Sequence, residues 1–251
     1  MAMDPQIPAK AGDRMKDITA WSFSRLKDFE QCPLRAYKKY VEKLSDDHMD
    51  RKAADRGTMV HNACEEFVDG SGCFIKEMAK FRDYFGALRT RYQDNPDDVI
   101  LEENWGFDSD WQTCGWFDKE VWCRMKLDNC IINHRNDDGD PITATPTDYK
   151  TGKKYGNEVS HGQQGQLYAL GTFLRYPTVE VVDVELVYLD QGQTTKRTYT
   201  REKAMKFLPT WTSRGKRMTE ATDYPPKPNK MTCMWCAFGP QHGDGSCDWG
   251  V

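Results

Sequence analysis

The sequence contains no apolar run near the length of about 18 residues that a membrane-crossing helix needs. A transmembrane span is therefore not expected, and neither is a membrane partner. The opening stretch, MAMDPQIPAKAGDRMKD, lacks the apolar segment of a secretory signal and reads as a disordered lead-in over residues 1–18. Internal repeats and low-complexity tracts are also missing. Positive charge is not in excess, since the net charge is −4. That is not the balance of a protein that coats nucleic acid. It still allows local basic patches, of which Arg35, Lys38, Lys39 and Lys43 form one candidate. A second runs from Lys196, Arg197, Arg201 and Lys203 to Arg214, Lys216 and Arg217. Solvated helix faces are the alternative reading of both.

At 251 residues the chain can bury one sizeable core with an appended subdomain. It carries nine cysteines without a secretory signal. This usage points to a reducing cytoplasm, or a host cytoplasm for a viral protein, and away from a disulfide framework. Cys64, Cys73, Cys114, Cys123 and Cys130 are scattered through patterned segments and read as packing residues. Cys32, Cys233, Cys236 and Cys247 sit in loop or helix-edge contexts that suit ligation.

The most informative residues are Asp128, in MKLDNCII, and Asp148 and Lys150, in TPTDYKTGK. An acidic residue within an apolar strand is costly unless it is paired or holds a metal. A buried salt bridge is the competing account of Asp128. Two carboxylates can hold a hard cation such as Mg²⁺ or Mn²⁺ through oxygen. Lys150 lies two residues beyond Asp148, so on a strand both point to one face. There an ammonium can orient water or offset charge developing on a phosphate. Gln164 and Tyr168 are four apart on a predicted helix and share its face. His61 lies on another predicted helix, with Glu65 one turn further on.

Helices are expected over residues 22–31, 33–43, 57–67, 74–92, 160–175 and 202–217. Strands are expected over residues 99–107, 120–133, 142–149, 179–189 and 194–200, with residues 136–140 turning a hairpin. The fold class is α/β, with a mixed central sheet flanked by helices. The predicted organisation is a lead-in (1–18), an N-terminal helical region (19–98), a catalytic core (99–218) and a Cys-rich segment (219–251) that pairs with Cys32.

The ordered set His61, Asp128, Asp148-Tyr149-Lys150-Thr151-Gly152, Gln164 and Tyr168 resembles the RecB-like branch of the PD-(D/E)xK nuclease superfamily. The resemblance extends over residues 21–247. It implies a restriction-endonuclease-like core, with Asp128, Asp148, Lys150, Gln164 and Tyr168 as catalytic residues. Metal would be held by His61, Asp128, Asp148 and the backbone carbonyl of Tyr149. One distant Cys plus a C-terminal trio resembles the iron–sulfur-bearing subset, which includes CRISPR-associated adaptation nucleases and AddB-type recombination nucleases. In that light the four cysteines join the chain ends around a [4Fe–4S] cluster, with structural Zn²⁺ as the alternative. The loop between Cys236 and Cys247 departs from the pattern by its length and by containing His242.

The expected activity is metal-dependent deoxyribonuclease action, as an exonuclease on single-stranded DNA or DNA ends. Some of Trp21, Trp105, Trp111, Trp116 and Trp122 would stack on bases. The alternative is a nuclease-like DNA-binding module with little turnover in a recombination, replication or CRISPR-adaptation complex. A third reading is a zinc-stabilised structural protein.

Overall fold

The computed structural model describes residues 17–46 and 48–251, so most of the expected lead-in lies outside the described residues. The chain begins with β1 (Trp21–Ser22), α1 (Phe23–Gln31), α2 (Pro33–Tyr40), α3 (Lys52–Asp69) and α4 (Arg82–Asp94). Five strands follow: β2 (Val99–Leu101), β3 (Asn104–Phe107), β4 (Thr113–Cys114), β5 (Cys123–Lys126) and β6 (Asn129–Arg135). Next come β7 (Pro141–Lys150), α5 (Glu158–Arg175), β8 (Val181–Tyr188) and β9 (Gln193–Thr200). Three helices close the order: α6 (Arg201–Met205), α7 (Leu208–Thr219) and α8 (Lys230–Met234). The described residues divide into two compact units. Arg51–Thr212 forms one; residues up to Asp50, with Ser213–Val251, form the other.

The unit Arg51–Thr212 is built on a five-stranded mixed sheet in the order β2-β6-β7-β8-β9. Only β7 and β8 run parallel; the other neighbours are antiparallel. A parallel pair needs a crossover, and α5 supplies it. Strand alternation sends Tyr149, Val187 and Leu189 to one face, where they pack with Val60 and Cys64 of α3 and Phe85 and Leu88 of α4. The other face carries Asp148, Lys150 and Val184 toward α5. Gly165 brings that helix close to the sheet: a Cβ there would stand 3.2 Å from Val184. The result within this unit is a helix–sheet–helix sandwich.

Two predicted strands prove to be pairs of strands. Residues 99–107 break between β2 and β3, where Glu102 takes a left-handed φ of 38°. Residues 120–133 break at Leu127–Asp128, between β5 and β6. Both breaks lie side by side. The Glu102 N–H donates to the Asp128 carbonyl at 3.0 Å, and the Leu127 N–H to the Glu103 carbonyl at 3.2 Å. Beyond them β3 pairs with β4 and β5 in a separate antiparallel sheet. Asp128 therefore sits at a strand junction and not inside a strand. The apolar pattern runs unbroken through the change of sheet, which is why periodicity alone reads one strand. The helix expected over 202–217 is likewise two, α6 and α7.

In the second unit, Ser22 caps α1 by accepting from the Arg25 N–H at 3.4 Å, and Pro33 opens α2. Cys32 stands between these helices in extended backbone. Glu30 of α1 receives Arg214 through two bonds of 2.7 Å and Arg217 at 3.3 Å. Tyr224 packs its ring against Phe29 and Tyr37. The last stretch, 226–251, contributes only Cys236 and Phe238 to the buried apolar set.

Candidate metal centre

Asp148 and Lys150 close β7 on the face that meets α5. Lys150 Nζ donates to Gln164 Oε1 at 2.8 Å. Gln164 Nε2 donates to Tyr168 Oη at 2.7 Å, and Tyr168 Oη donates to the Lys126 carbonyl at 2.8 Å. Gln164 Nε2 and Tyr168 Oη each stand 3.4 Å from Asp148 Oδ1. Lys150 also forms an ion pair with Asp148 Oδ2. That oxygen is buried and accepts no aligned hydrogen bond. The Lys150 ammonium compensates its charge, and the free lone pairs of this buried oxygen remain open to a metal ion.

Asp128 arrives from the β5–β6 junction. Its Oδ1 meets His61 Nδ1 at 2.7 Å, and its Oδ2 accepts from the Tyr149 N–H at 2.5 Å. Burial, with help from nearby Asp148, holds the Asp128 carboxyl above its ordinary range; His61 and the Tyr149 N–H pull the other way. Burial alone would lower the His61 imidazole, but its bond to Asp128 and that carboxylate's charge raise it. The structure thus brings His61, Asp128, Asp148, Lys150, Gln164 and Tyr168 together. Tyr149 contributes backbone only, because its ring leaves for the opposite face and its hydroxyl accepts from Asn129 Nδ2 at 2.8 Å. Glu65 is a neighbour of this site on α3, and burial together with Glu102 raises its carboxyl.

Sequence reasoning missed a clamp around the Lys150 turn. Arg56 Nη1 donates to the Thr151 carbonyl at 3.3 Å, and its guanidinium forks onto Asp190 at 3.1 and 2.8 Å. Gln191 Nε2 donates to the Gly152 carbonyl at 3.1 Å, and the Leu189 N–H to the Lys150 carbonyl at 3.0 Å. Arg56 lies five residues before His61 on α3, a spacing that does not put the two on one helix face, so periodicity gave no signal for it.

Most expected nucleic-acid contacts are otherwise occupied. Trp21, Trp105, Trp111 and Trp122 are buried, so they are core residues and not stacking platforms. Arg35 and Lys39 pair with Asp28, Lys196 with Asp183 and Glu185, and Arg214 with Glu30. Arg201 donates to the carbonyl of Phe173 in the last turn of α5 and to those of Tyr176, Pro177 and Val179 beyond it.

In the second unit, Cys32, Cys233, Cys236 and Cys247 line one pocket. The Lys227 N–H points at Cys32 Sγ and the Asn229 N–H at Cys233 Sγ, each at 3.4 Å. Burial raises the Cys236 thiol, and Cys247 and Cys32 add to the effect. Among the described residues no three His, Cys, Asp or Glu side chains stand close enough together to hold a metal ion as they are placed. The donor chemistry nevertheless fits a thiolate-bound group, with four sulfurs around one pocket and backbone N–H groups turned toward two of them.

A mixed sheet that presents a carboxylate and a lysine at the end of β7, with a second carboxylate from the neighbouring β5–β6 junction, has the form of a site for a hard divalent cation. A family model described as the PD-(D/E)XK nuclease superfamily matches residues 20–130 and 131–241. The chain belongs to this superfamily. A comparison with curated proteins gives no match. Among solved structures, one titled "Crystal structure of SSO0001" is similar at 16% identity, over 90% of this chain and 86% of that one, with a TM-score of 0.46. A likeness that distant adds nothing to the reading of the site.

Proposed function

We propose that the unit Arg51–Thr212 is a Mg²⁺- or Mn²⁺-dependent deoxyribonuclease, acting as an exonuclease on single-stranded DNA or DNA ends. The observation that carries this reading is the network around Asp148, in which Gln164 and Tyr168 hold both the carboxylate and Lys150. Asp128 and Asp148 would hold the cation, with His61 from α3 and the Tyr149 carbonyl as further ligands. Bound there, the cation supplies Lewis acidity to a phosphoryl oxygen and to water. Gln164 fixes the Lys150 ammonium beside the carboxylates. In that position Lys150 offsets charge that develops on the phosphate during in-line attack, leaving a 5′-phosphate. Preference for ends and single strands rests on the likeness of the motif set to RecB-like nucleases.

We further infer that Cys32, Cys233, Cys236 and Cys247 hold a [4Fe–4S] cluster, as in the iron–sulfur-bearing subset. The shared pocket and the two N–H groups aimed at sulfur support this. The cluster would tie α1 and α2 to the C-terminal segment. Recombination, replication or CRISPR-adaptation proteins are the partners this reading suggests.

The activity test is digestion of end-labelled single- and double-stranded DNA with Mg²⁺ or Mn²⁺. Metal-dependent shortening from an end supports the proposal. Tight binding without digestion would favour the DNA-binding module instead. For the second site, anaerobically prepared protein should carry about four irons with matching sulfide; one zinc and no iron would replace the cluster with a structural zinc.

A further inference from the structure

Beside the network that holds Lys150, a second group of side chains gathers around Tyr188. In the parallel β7–β8 register Tyr188 stands opposite Lys150, so its ring leaves the sheet on the same face, toward α5. There its hydroxyl meets His161 Nδ1 at 3.0 Å. Lys154 Nζ lies 5.4 Å from the centre of the Tyr188 ring. Arg197 stands opposite Val184 in the β8–β9 register and faces α5 as well. Its guanidinium lies against the first turns of that helix, where a Cβ on Gly162 would come within 3.5 Å of Nη1. Gly162 follows His161 on α5, so Arg197 meets the helix one residue from the histidine that contacts the Tyr188 hydroxyl.

Charge pairing separates Arg197 from its neighbour. Lys196 points to the opposite face and is neutralised by Asp183 at 3.0 Å and Glu185 at 3.6 Å. Lys154 and Arg197 have no carboxylate at ion-pair distance among the described residues, and Lys154 donates only to the neutral Gln193 Oε1 at 3.3 Å. Of the carboxylates acting on Tyr188, Asp148 belongs to the metal centre and Glu158 accepts from the Gly156 N–H at 2.8 Å. Two cations without an ion-pair partner among the described residues therefore lie beside the Tyr188–His161 pair, Lys154 against the ring and Arg197 against the adjoining turn of α5. The first turn of the 18-residue α5 adds exposed N–H dipoles of the same sign.

We propose that Lys154 and Arg197, positioned around Tyr188, form a phosphate-binding subsite that takes a backbone phosphate of the nucleic-acid strand next to the one at the metal centre. The inference rests on the nuclease reading of that centre. Tyr188 and His161 are positioning residues: the buried ring lies under Lys154, and His161 adjoins the turn of α5 against which Arg197 lies. Such a subsite orients the strand without reading its bases.

The test is the salt dependence of binding to a fluorescently labelled single-stranded oligodeoxynucleotide in EDTA, where binding is measured without turnover. Each phosphate neutralised on a single strand contributes roughly 0.7 to the slope of log affinity against log salt. Lys154→Gln and Arg197→Gln should each make the slope shallower by about that amount and weaken binding several-fold at low salt. Lys196→Gln, one residue from Arg197 on the opposite face, should leave it unchanged. Slopes for Lys154→Gln and Arg197→Gln equal to wild type would overturn the subsite, as would an equal change in Lys196→Gln. Wild-type digestion with Mn²⁺ separates the two failures. A protein that digests DNA but shows unchanged slopes fails only here; one that neither digests nor binds fails the nuclease reading too.

Discussion

The two units are held together by different means. Arg51–Thr212 buries a continuous apolar core on one face of its sheet, from Val60 and Phe85 to Val187 and Leu189. Its charged network lies on the opposite face, supported by α5. Residues 226–251 of the other unit bury little: Met231, Met234, Trp235, Trp249 and Val251 are all exposed, and Trp235 retains 62% of its surface. Tight turns shape this segment, since a Cβ on Gly239 would stand 2.5 Å from the Cys233 carbonyl and one on Gly243 2.5 Å from that of Cys236. A segment with so small a core needs another source of stability, and four cysteines around one pocket can supply it. In one unit packing carries the fold and leaves charge free for chemistry. In the other, the proposed cluster would take over part of the work of folding.

The sharpest way to break this contrast is to remove a sulfur from each unit. On the proposed cluster reading, Cys32→Ser or Cys236→Ser should lose iron and sulfide together with stability on the scale of a whole domain, about 5 kcal/mol or more. Cys130→Ala, in the sheet of the other unit, should cost only a small cavity, about 1 kcal/mol. Urea unfolding with iron and sulfide analysis on the same samples checks both. Equal losses at Cys32 and Cys130 would erase the distinction.

The next largest effect is on catalysis without loss of fold. Asp148→Ala and Lys150→Ala should each lower cleavage by about 10³-fold, roughly 4 kcal/mol of transition-state stabilisation, while thermal unfolding stays near wild type. Near-wild-type digestion by either variant at saturating Mn²⁺ would remove it from the site. Gln164→Ala should act through Lys150 and cost less, about tenfold in kcat. A change in KM alone would show that Gln164 contacts the strand and does not position the lysine.

The smallest effect concerns the surface of the sheet. Burial would raise Asp183, but its bonds to Thr198 and Lys196 hold it below its ordinary range. A lowered carboxyl contributes stability above its unfolded value, near 3.9. The contribution disappears as pH falls through the folded value. Asp183→Asn should therefore cost less than about 1 kcal/mol at neutral pH, because the pair is partly solvated. The difference should vanish in acid, as read by urea midpoints across pH.

Much of the candidate site was legible in the sequence because its residues are local pairs on regular elements. Asp148 with Lys150 follows strand alternation, and Gln164 with Tyr168 follows helix spacing. The mixed α/β class followed from the alternation of patterned segments. What could not be read depends on contacts across the chain. The break at Asp128 is set by Glu102, 26 positions earlier (128 − 102), through a backbone bond that leaves no mark on hydrophobic periodicity. The Arg56 clamp on Thr151 and the gathering of Lys154 and Arg197 around Tyr188 arise from strand register and helix placement. The core tryptophans misled for a related reason, since composition gives their number and only packing gives their burial.

Mn²⁺ titration of the wild-type protein, Asp148→Asn and Asp128→Asn tests the central claim most directly. Asn keeps the shape of each side chain and removes the charge that holds the cation. The account predicts saturable binding by the wild type and affinity reduced at least about tenfold in each variant, with the fold retained. Undiminished Mn²⁺ binding by Asp148→Asn would contradict it.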